Sequence, residues 1–304
     1  MKTVFVTGTA GFVGRHFMRH MQTMPDWRAL AAPDNFDLRD ADSVTRAVAA
    51  PPAIDAVLHL AAQSNVPQAF ADPLDTLQIN FLGTLRLLQA LKGRSFRGRL
   101  IFVGTADAYG LVPETALPVR EERALAPRNP YAVSKAAAEA LVYQWTQSEG
   151  LDAVMVRPLN HIGPGQDERF AVAAFARQIA EISLGRRAAR IEVGDLDVTR
   201  DFTDVHDVVR AYAMLLTRGE TGTVYNIGSG VESRLREMLE TLAALAGVKA
   251  EVVVDRARLR PAEQRRMAAN ATRIRDATGW QPLRPLEQTL KDIYMDWKER
   301  LTND

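Results

Sequence analysis

The sequence predicts an α/β protein organised on a doubly wound parallel sheet, with a smaller C-terminal α/β lobe. Three observations lead there. A short apolar strand at residues 3–7 runs straight into a glycine-rich turn and a helical stretch. Short apolar strands then alternate with helical stretches as far as Arg157. Small or polar residues gather where several of those strands end. Such alternation builds a parallel sheet between helical layers, and ligands of such sheets bind outside the carboxyl ends of the strands.

Size and composition bound the reading further. A chain of 304 residues suits one large α/β domain or two lobes sharing one sheet. Apolar residues at 47% are enough for a core, and a net charge of +1 points to neither nucleic acid nor an anionic membrane as partner. The chain has no cysteine, which excludes disulfides, cysteine-based zinc sites and a thiol nucleophile. The N-terminus lacks the basic start and apolar stretch of a signal peptide, and no apolar run is long enough to span a bilayer. The expectation is a cytoplasmic protein. No His/Asp/Glu cluster has metal-ligand spacing, so no metal is expected.

In chain order, the first strand is followed by Gly8-Thr-Ala-Gly11-Phe12-Val13-Gly14 and a helix over about 15–22. Strand, glycine turn and helix form the Rossmann-type dinucleotide context. The first glycine permits the tight turn, the second lets a pyrophosphate approach the backbone, and the third lets the helix pack closely. Free N–H groups at the helix start then face the phosphates. Residues 28–32 read as a second strand and 36–38, with Asp37 and Leu38, as a third; a helix follows over 41–49. Asp37 is a candidate contact to the adenine. Asp34 stands where an acid would bind the ribose of NAD, while Arg15 and Arg28 are candidate partners for the phosphate of NADP. The cofactor is therefore read as NADPH or NADH.

Residues 55–60 form the next strand, and Leu60, Ala61 and Ala62 let a cofactor pass closely at its end. Asn80, a further candidate cofactor contact, opens an apolar helix to Leu91. A strand over 99–103 leads to Gly104-Thr105-Ala106-Asp107-Ala108-Tyr109-Gly110 and a polar loop over 111–129. Strand 152–157 ends the regular alternation. Beyond it come a turn-rich loop over 158–165, a helix over 170–184, a short strand over 191–193 and a charged loop over 200–204. A helix around 208–216, a strand over 223–227, helical residues from about 229, a strand over 251–254, an Arg-rich segment and a last helix follow. Residues 1–158, with about 201–228, are read as the dinucleotide-binding domain, and 159–200 with 229–304 as the second lobe.

The helix that opens at Asn129-Pro130 carries the chemistry. Asparagine is a good N-cap and proline suits the first helical position. Tyr131 and Lys135 are four residues apart and share a face. A phenol with an ordinary pKa near ~10 is a poor acid-base group at neutral pH. A nearby ammonium favours the phenolate and pulls that pKa down. Such a tyrosine can give or take a proton in the reduction of a ketone or the oxidation of an alcohol.

Four features occur together in order: the Gly8/Gly11/Gly14 turn, Thr105 ahead of Tyr109-Gly110, Tyr131-x-x-x-Lys135, and Arg157-Pro-x-Asn160. The combination resembles the extended short-chain dehydrogenase/reductase family of nucleotide-sugar enzymes over nearly the whole chain. Asn160-His-Ile-Gly-Pro-Gly165, Val198-Thr-Arg200-Asp-Phe-Thr-Asp204 and Arg260-Pro-Ala-Glu263 resemble its GDP-mannose 4,6-dehydratase branch, most of all the members that reduce a GDP-linked 4-keto-6-deoxy sugar to GDP-D-rhamnose. The resemblance implies that Tyr131 gives a proton to the developing alkoxide, that Lys135 holds the nicotinamide ribose and that Thr105 orients the same oxygen. It implies that Arg200 and Arg260 clamp the diphosphate, that Glu263 contacts the GDP ribose, that Asn160 contacts the sugar-phosphate and that Arg177 lies toward the guanine.

Asp107 stands where the dehydratases carry a catalytic acid, usually Glu, so it is either a sugar-hydroxyl ligand or the base of a 4,6-dehydratase. A nucleotide-sugar 4-epimerase and a silent nucleotide-binding regulator remain open alternatives. The Arg256 to Arg266 segment could be a solvated basic face, but no stacking aromatics are interleaved as single-stranded nucleic acid would need. His161 reads as a structural loop histidine. The resemblance also implies a homodimer paired through a four-helix bundle.

Overall fold

The computed structural model describes residues 1–258 and 264–303. Its centre is a six-stranded, all-parallel sheet in the order β2-β1-β3-β4-β5-β9. These strands are β1 (Lys2–Thr7), β2 (Trp27–Ala31), β3 (Ala56–His59), β4 (Arg99–Val103), β5 (Asp152–Pro158) and β9 (Val224–Ile227). The apolar side chains alternate between the two faces, as a period of two requires. Val4, Val6, Leu58, Ile101 and Val154 pack with helices α1 (Phe12–Met21) and α8 (Val205–Arg218). Phe5, Val57, Leu100, Phe102 and Met155 pack with α2 (Ala41–Ala49), α5 (Gly83–Gly93) and α6 (Pro130–Ser148). The result is a three-layer sandwich, as the alternation predicts.

The strand order reverses between β1 and β3, which places a crevice at their carboxyl ends. The Gly8 turn and Leu60-Ala61-Ala62 therefore face each other. At the far edge, β9 has its ladder groups covered by side chains: Arg273 donates to the Val224 carbonyl at 2.9 Å and the Asn226 N–H donates to Glu121 at 2.9 Å.

Beyond β5 the chain builds smaller pieces. Strands β6 (Asn160–Ile162), β8 (Thr199–Asp204) and β10 (Glu232–Arg234) form one sheet. Strands β7 (Arg190–Val193) and β11 (Glu251–Val254) form a parallel pair. Helices α7 (Ala171–Ser183), α9 (Leu235–Ala246) and α11 (Leu286–Asn303) surround a separate apolar cluster with Ile191 and Val193. Residues 205–227 return to the main sheet as α8 and β9.

Several expectations need correction. No strand forms over residues 36–38. The Asp37 N–H donates instead to Ser43, and Leu38 is buried against Gly83, where a Cβ would come within 2.6 Å of the Leu38 Cβ. The stretch is used to seat α5, and β2 stays an edge strand. The charged loop expected over 200–204 is the strand β8, because Asp201 and Asp204 find buried hydrogen bonds that remove the cost of their polarity. Part of the turn-rich loop over 158–165 is β6, and the residues after Ser229 form β10 before α9 begins. Asn80 does not start α5; it lies in a π-turn (Gln78–Leu82) that follows two short helices, α3 (Val66–Ala71) and α4 (Pro73–Leu77).

Trp280 fixes the outer helix α10 (Thr272–Thr278) to the sandwich: it is fully buried and its indole N–H donates to the Asp207 carbonyl at 2.9 Å. Trp280→Ala removes that bond and leaves a cavity. A loss of about 3–5 kcal/mol is expected by urea unfolding.

Candidate active site

The glycine turn is shaped for close backbone approach. Gly8 has φ +76°, and a Cβ there would come within 2.7 Å of the Ala61 nitrogen. A Cβ on Gly14 would come within 2.2 Å of the Gly8 carbonyl oxygen, so α1 can lie this close to the strand end only with glycine in that place. Gly11 caps α1 without a side-chain bond, which leaves the first-turn amides at Phe12, Val13 and Gly14 for an anionic ligand. The residues present thus fit a dinucleotide pyrophosphate.

The other cofactor candidates divide. Leu60, Ala61 and Ala62 border the same crevice at the end of β3. Asn80 is buried and its amide is already used: it accepts from the Gln63 N–H and donates to the Gln63 carbonyl and to Ser134. It therefore fixes the turn after β3 rather than offering its amide to a ligand. Asp37 is paired with Arg39, which holds its carboxyl below the usual range. Arg28 lies at the amino end of β2, in register with Thr3, which is the wrong end of the sheet for an adenosine phosphate. Arg15 donates to the Ala10 and Gly165 carbonyls and ties the glycine turn to the loop after β6.

Helix α6 starts as its sequence predicts: the Asn129 side chain accepts from the Ala132 N–H at 2.7 Å, and Pro130 follows. Tyr131 then faces Thr105, whose hydroxyl is close enough to act on the phenol. Thr105 also caps the short 3-10 turn (Ala106–Tyr109) by accepting from the Asp107 N–H at 3.2 Å. Burial, and then the Asp107 carboxylate, push the Tyr131 phenol above its ordinary value; only the Thr105 hydroxyl pulls the other way. The downward shift expected from Lys135 is not found; Lys135 is not among the groups that act on the phenol. The phenol therefore keeps its proton at neutral pH.

Lys135 is 4% exposed, with its ammonium 4.5 Å from the centre of the Phe102 ring. Burial pulls it down to about 7, against the Glu139 carboxylate, which raises it. Behind it lies a polar network that the spacing of motifs did not reveal. Arg157 donates to both oxygens of Glu139, to the Tyr109 hydroxyl at 2.9 Å and to the Glu121 carbonyl at 3.0 Å. Tyr109 in turn donates to Asn226 at 2.7 Å. Glu139 sits one helical turn beyond Lys135, the one signal that could have found it.

On the substrate side, Asn160 is exposed at the start of β6, and Arg200 lies on β8 beside the buried Asp201. Asp201 accepts from Ser229, Gly230 and Ala269 and so fixes the loops around Arg200. Arg177 is engaged with Glu168 and Glu181, which does not favour a guanine contact. Arg260 and Glu263 lie outside the described residues. Arg265 pairs with Asp195, and Arg266 with Glu114 and Glu232, so these two cations of the basic segment serve internal contacts. His161 bonds the Leu159 carbonyl at 3.1 Å and stacks on Phe12, as a structural histidine would. Among the described residues, no helix is long and apolar enough to cross a membrane.

Known proteins of the same shape carry this arrangement further. The family model for GDP-mannose 4,6 dehydratase matches residues 33–293. The chain is 50% identical to the GDP-6-deoxy-D-mannose reductase of Pseudomonas aeruginosa, covering 99% of each. A solved structure of RMD from Pseudomonas aeruginosa complexed with NADPH superposes with a TM-score of 0.94, covering 99% of this chain and 100% of that one at 50% identity. The UDP-glucose 4-epimerase of Thermus thermophilus in complex with NAD gives a TM-score of 0.84 at 29% identity, covering 97% of this chain and 99% of that one.

The buried lysine has a consequence for stability in the protein without cofactor. Between about 7 and its unfolded value near ~10.4, Lys135 carries a proton in the unfolded chain that the folded chain lacks. Stability contributed by this group therefore rises with pH across that window. Lys135→Met is expected to lose this rise, read as the difference between the two proteins in urea unfolding from pH 7 to pH 10.

Proposed function

The chain belongs to the GDP-mannose 4,6-dehydratase family, and from that footing we propose that it is an NADPH-dependent reductase converting GDP-4-keto-6-deoxy-D-mannose to GDP-D-rhamnose. The observation that carries this reading is the placement of Tyr131 beside Thr105 and one helical turn before the buried Lys135. Reduction of a ketone needs a proton donor placed at the developing alkoxide. NADPH, when bound, supplies the hydride to C4 of the sugar. Tyr131 gives its phenolic proton to the oxygen as negative charge develops there. Thr105 orients that oxygen, and Lys135 holds the nicotinamide ribose and supplies the positive charge that the resulting phenolate requires.

The glycine turn of residues 8–14 and the end of β3 take the dinucleotide in this proposal. Asn160 and Arg200 take the sugar diphosphate, Arg being suited to it through paired hydrogen bonds. Asp107 is assigned to a sugar hydroxyl. In the division we propose, residues 1–158 and 201–228 hold the cofactor, and 159–200 with 229–304 hold the GDP-sugar. We further propose a cytoplasmic homodimer paired through α5 and α6; Val133 and Tyr143 of α6, 43% and 49% exposed, are apolar surface that such a bundle would cover.

The test is incubation with NADPH and GDP-mannose, alone and after treatment with a separate 4,6-dehydratase, with products identified by NMR. NADPH oxidation only after treatment, yielding GDP-D-rhamnose, is expected. Conversion of untreated GDP-mannose to the 4-keto sugar would make Asp107 a catalytic base and the protein a dehydratase. Tyr131→Phe is expected to lower kcat by about 10²–10⁴ with KM for the keto sugar little changed.

A further inference from the structure

Glu139 and Arg157 are 6% and 5% exposed, and neither takes part in the mechanism above. Their pairing is close: the Arg157 Nε lies 3.2 and 3.0 Å from the two carboxylate oxygens, and Nη2 reaches Oε1 at 2.5 Å. A buried ion pair made only for stability is a poor bargain, since desolvation cancels much of its attraction. Its position is the informative feature. Glu139 follows Lys135 by four residues on α6, so the two side chains share a face. Its Oε2 also lies against Gly104, where a Cβ would come within 3.1 Å, so the carboxylate abuts the residue that leads into Thr105.

The surroundings of Lys135 leave few other sources of compensating charge. On α6 they are Tyr131 and Glu139. From β4 comes the uncharged Phe102 ring, and from β3 comes His59, whose burial and the nearby Lys135 hold it down to about 3, hence neutral. From α8, Tyr212 is a buried neutral phenol. Asp107 acts on Tyr131 from the turn after β4, and Arg157 stands behind Glu139 on β5. We propose that Glu139 is a positioning residue for the reduction: its carboxylate, locked in place by Arg157, holds Lys135 in its ammonium form. The inference rests on the proposed use of Lys135 in binding NADPH.

The experiment compares wild type, Glu139→Gln and the double variant Glu139→Gln/Arg157→Gln. NADPH affinity is followed by fluorescence from pH 6 to pH 9, and kcat is followed with the keto sugar over the same range. Wild-type binding weakens as Lys135 loses its proton. In Glu139→Gln the limb moves to lower pH by one unit or more, so that NADPH binds about ten-fold more weakly on the alkaline side. The double variant carries no unpaired buried charge at these positions and serves if the single variant does not fold. Its limb also stays below that of wild type, even where its melting temperature returns to the wild-type value. A wild-type binding profile in folded Glu139→Gln, or in the double variant, would make the pair purely structural and overturn the proposal. Absence of turnover by wild type would sink the reductase reading, while the binding titration would still decide the role of Glu139.

Discussion

The site depends on how closely α6 approaches the carboxyl ends of β4 and β5. The Gly104 N–H donates to the Val156 carbonyl at 2.8 Å, and a side chain at Gly104 would meet both that carbonyl and Glu139. Arg157, one residue further along β5, then reaches across to the helix through Glu139. This strap sets the height of α6 over the sheet, and with it the places of Tyr131 and Lys135 relative to Thr105. The glycine turn solves the same problem at β1, where the absence of Cβ atoms at residues 8 and 14 lets helix, strand and neighbouring loop close up.

Close approach also sets the chemistry. Water is largely displaced from Lys135, so its charge is costly, and partly from the half-buried Tyr131, which pushes its phenol up. Desolvation leads both shifts, and neither residue is among the groups that act on the other. The tyrosine and lysine are better understood as two groups tuned by a common burial than as a lysine acting on a tyrosine. The carboxylates of Asp107 and Glu139 each act on one member of the pair, the first raising Tyr131 and the second raising Lys135.

What was legible in the sequence was what local physics decides. The Asn129 cap, the glycine turn and the helix over 41–49 form where expected because their signals are contained in a few adjacent residues. The alternation of strands and helices likewise fixes the parallel sandwich. Segments settled by distant partners were less legible. Residues 36–38 look extended, yet Leu38 is claimed by Gly83 of α5. The stretch 199–204 looks like a charged loop, yet Asp201 bonds residues from 229 to 269 and Asp204 bonds Thr289. The direction of the Tyr131 shift was missed for the same reason, since burial is a property of the whole packing. Arg157 was visible as part of a motif, but its partners Glu139, Tyr109 and the Glu121 carbonyl are brought together only by the fold.

The edge of the sheet at β9 bears on how the molecule meets others. A parallel sheet that ends in free N–H and C=O groups is a template for strands from another chain. Here the Val224 carbonyl and the Asn226 N–H are already taken by Arg273 and Glu121, two charged side chains from outside the ladder. An incoming strand would have to displace both and strand their charges at a half-buried rim. On this side, crowding favours solubility: sheet-to-sheet growth, the usual first step toward aggregation of an exposed strand, is blocked by the same contacts that hold the last strand in place.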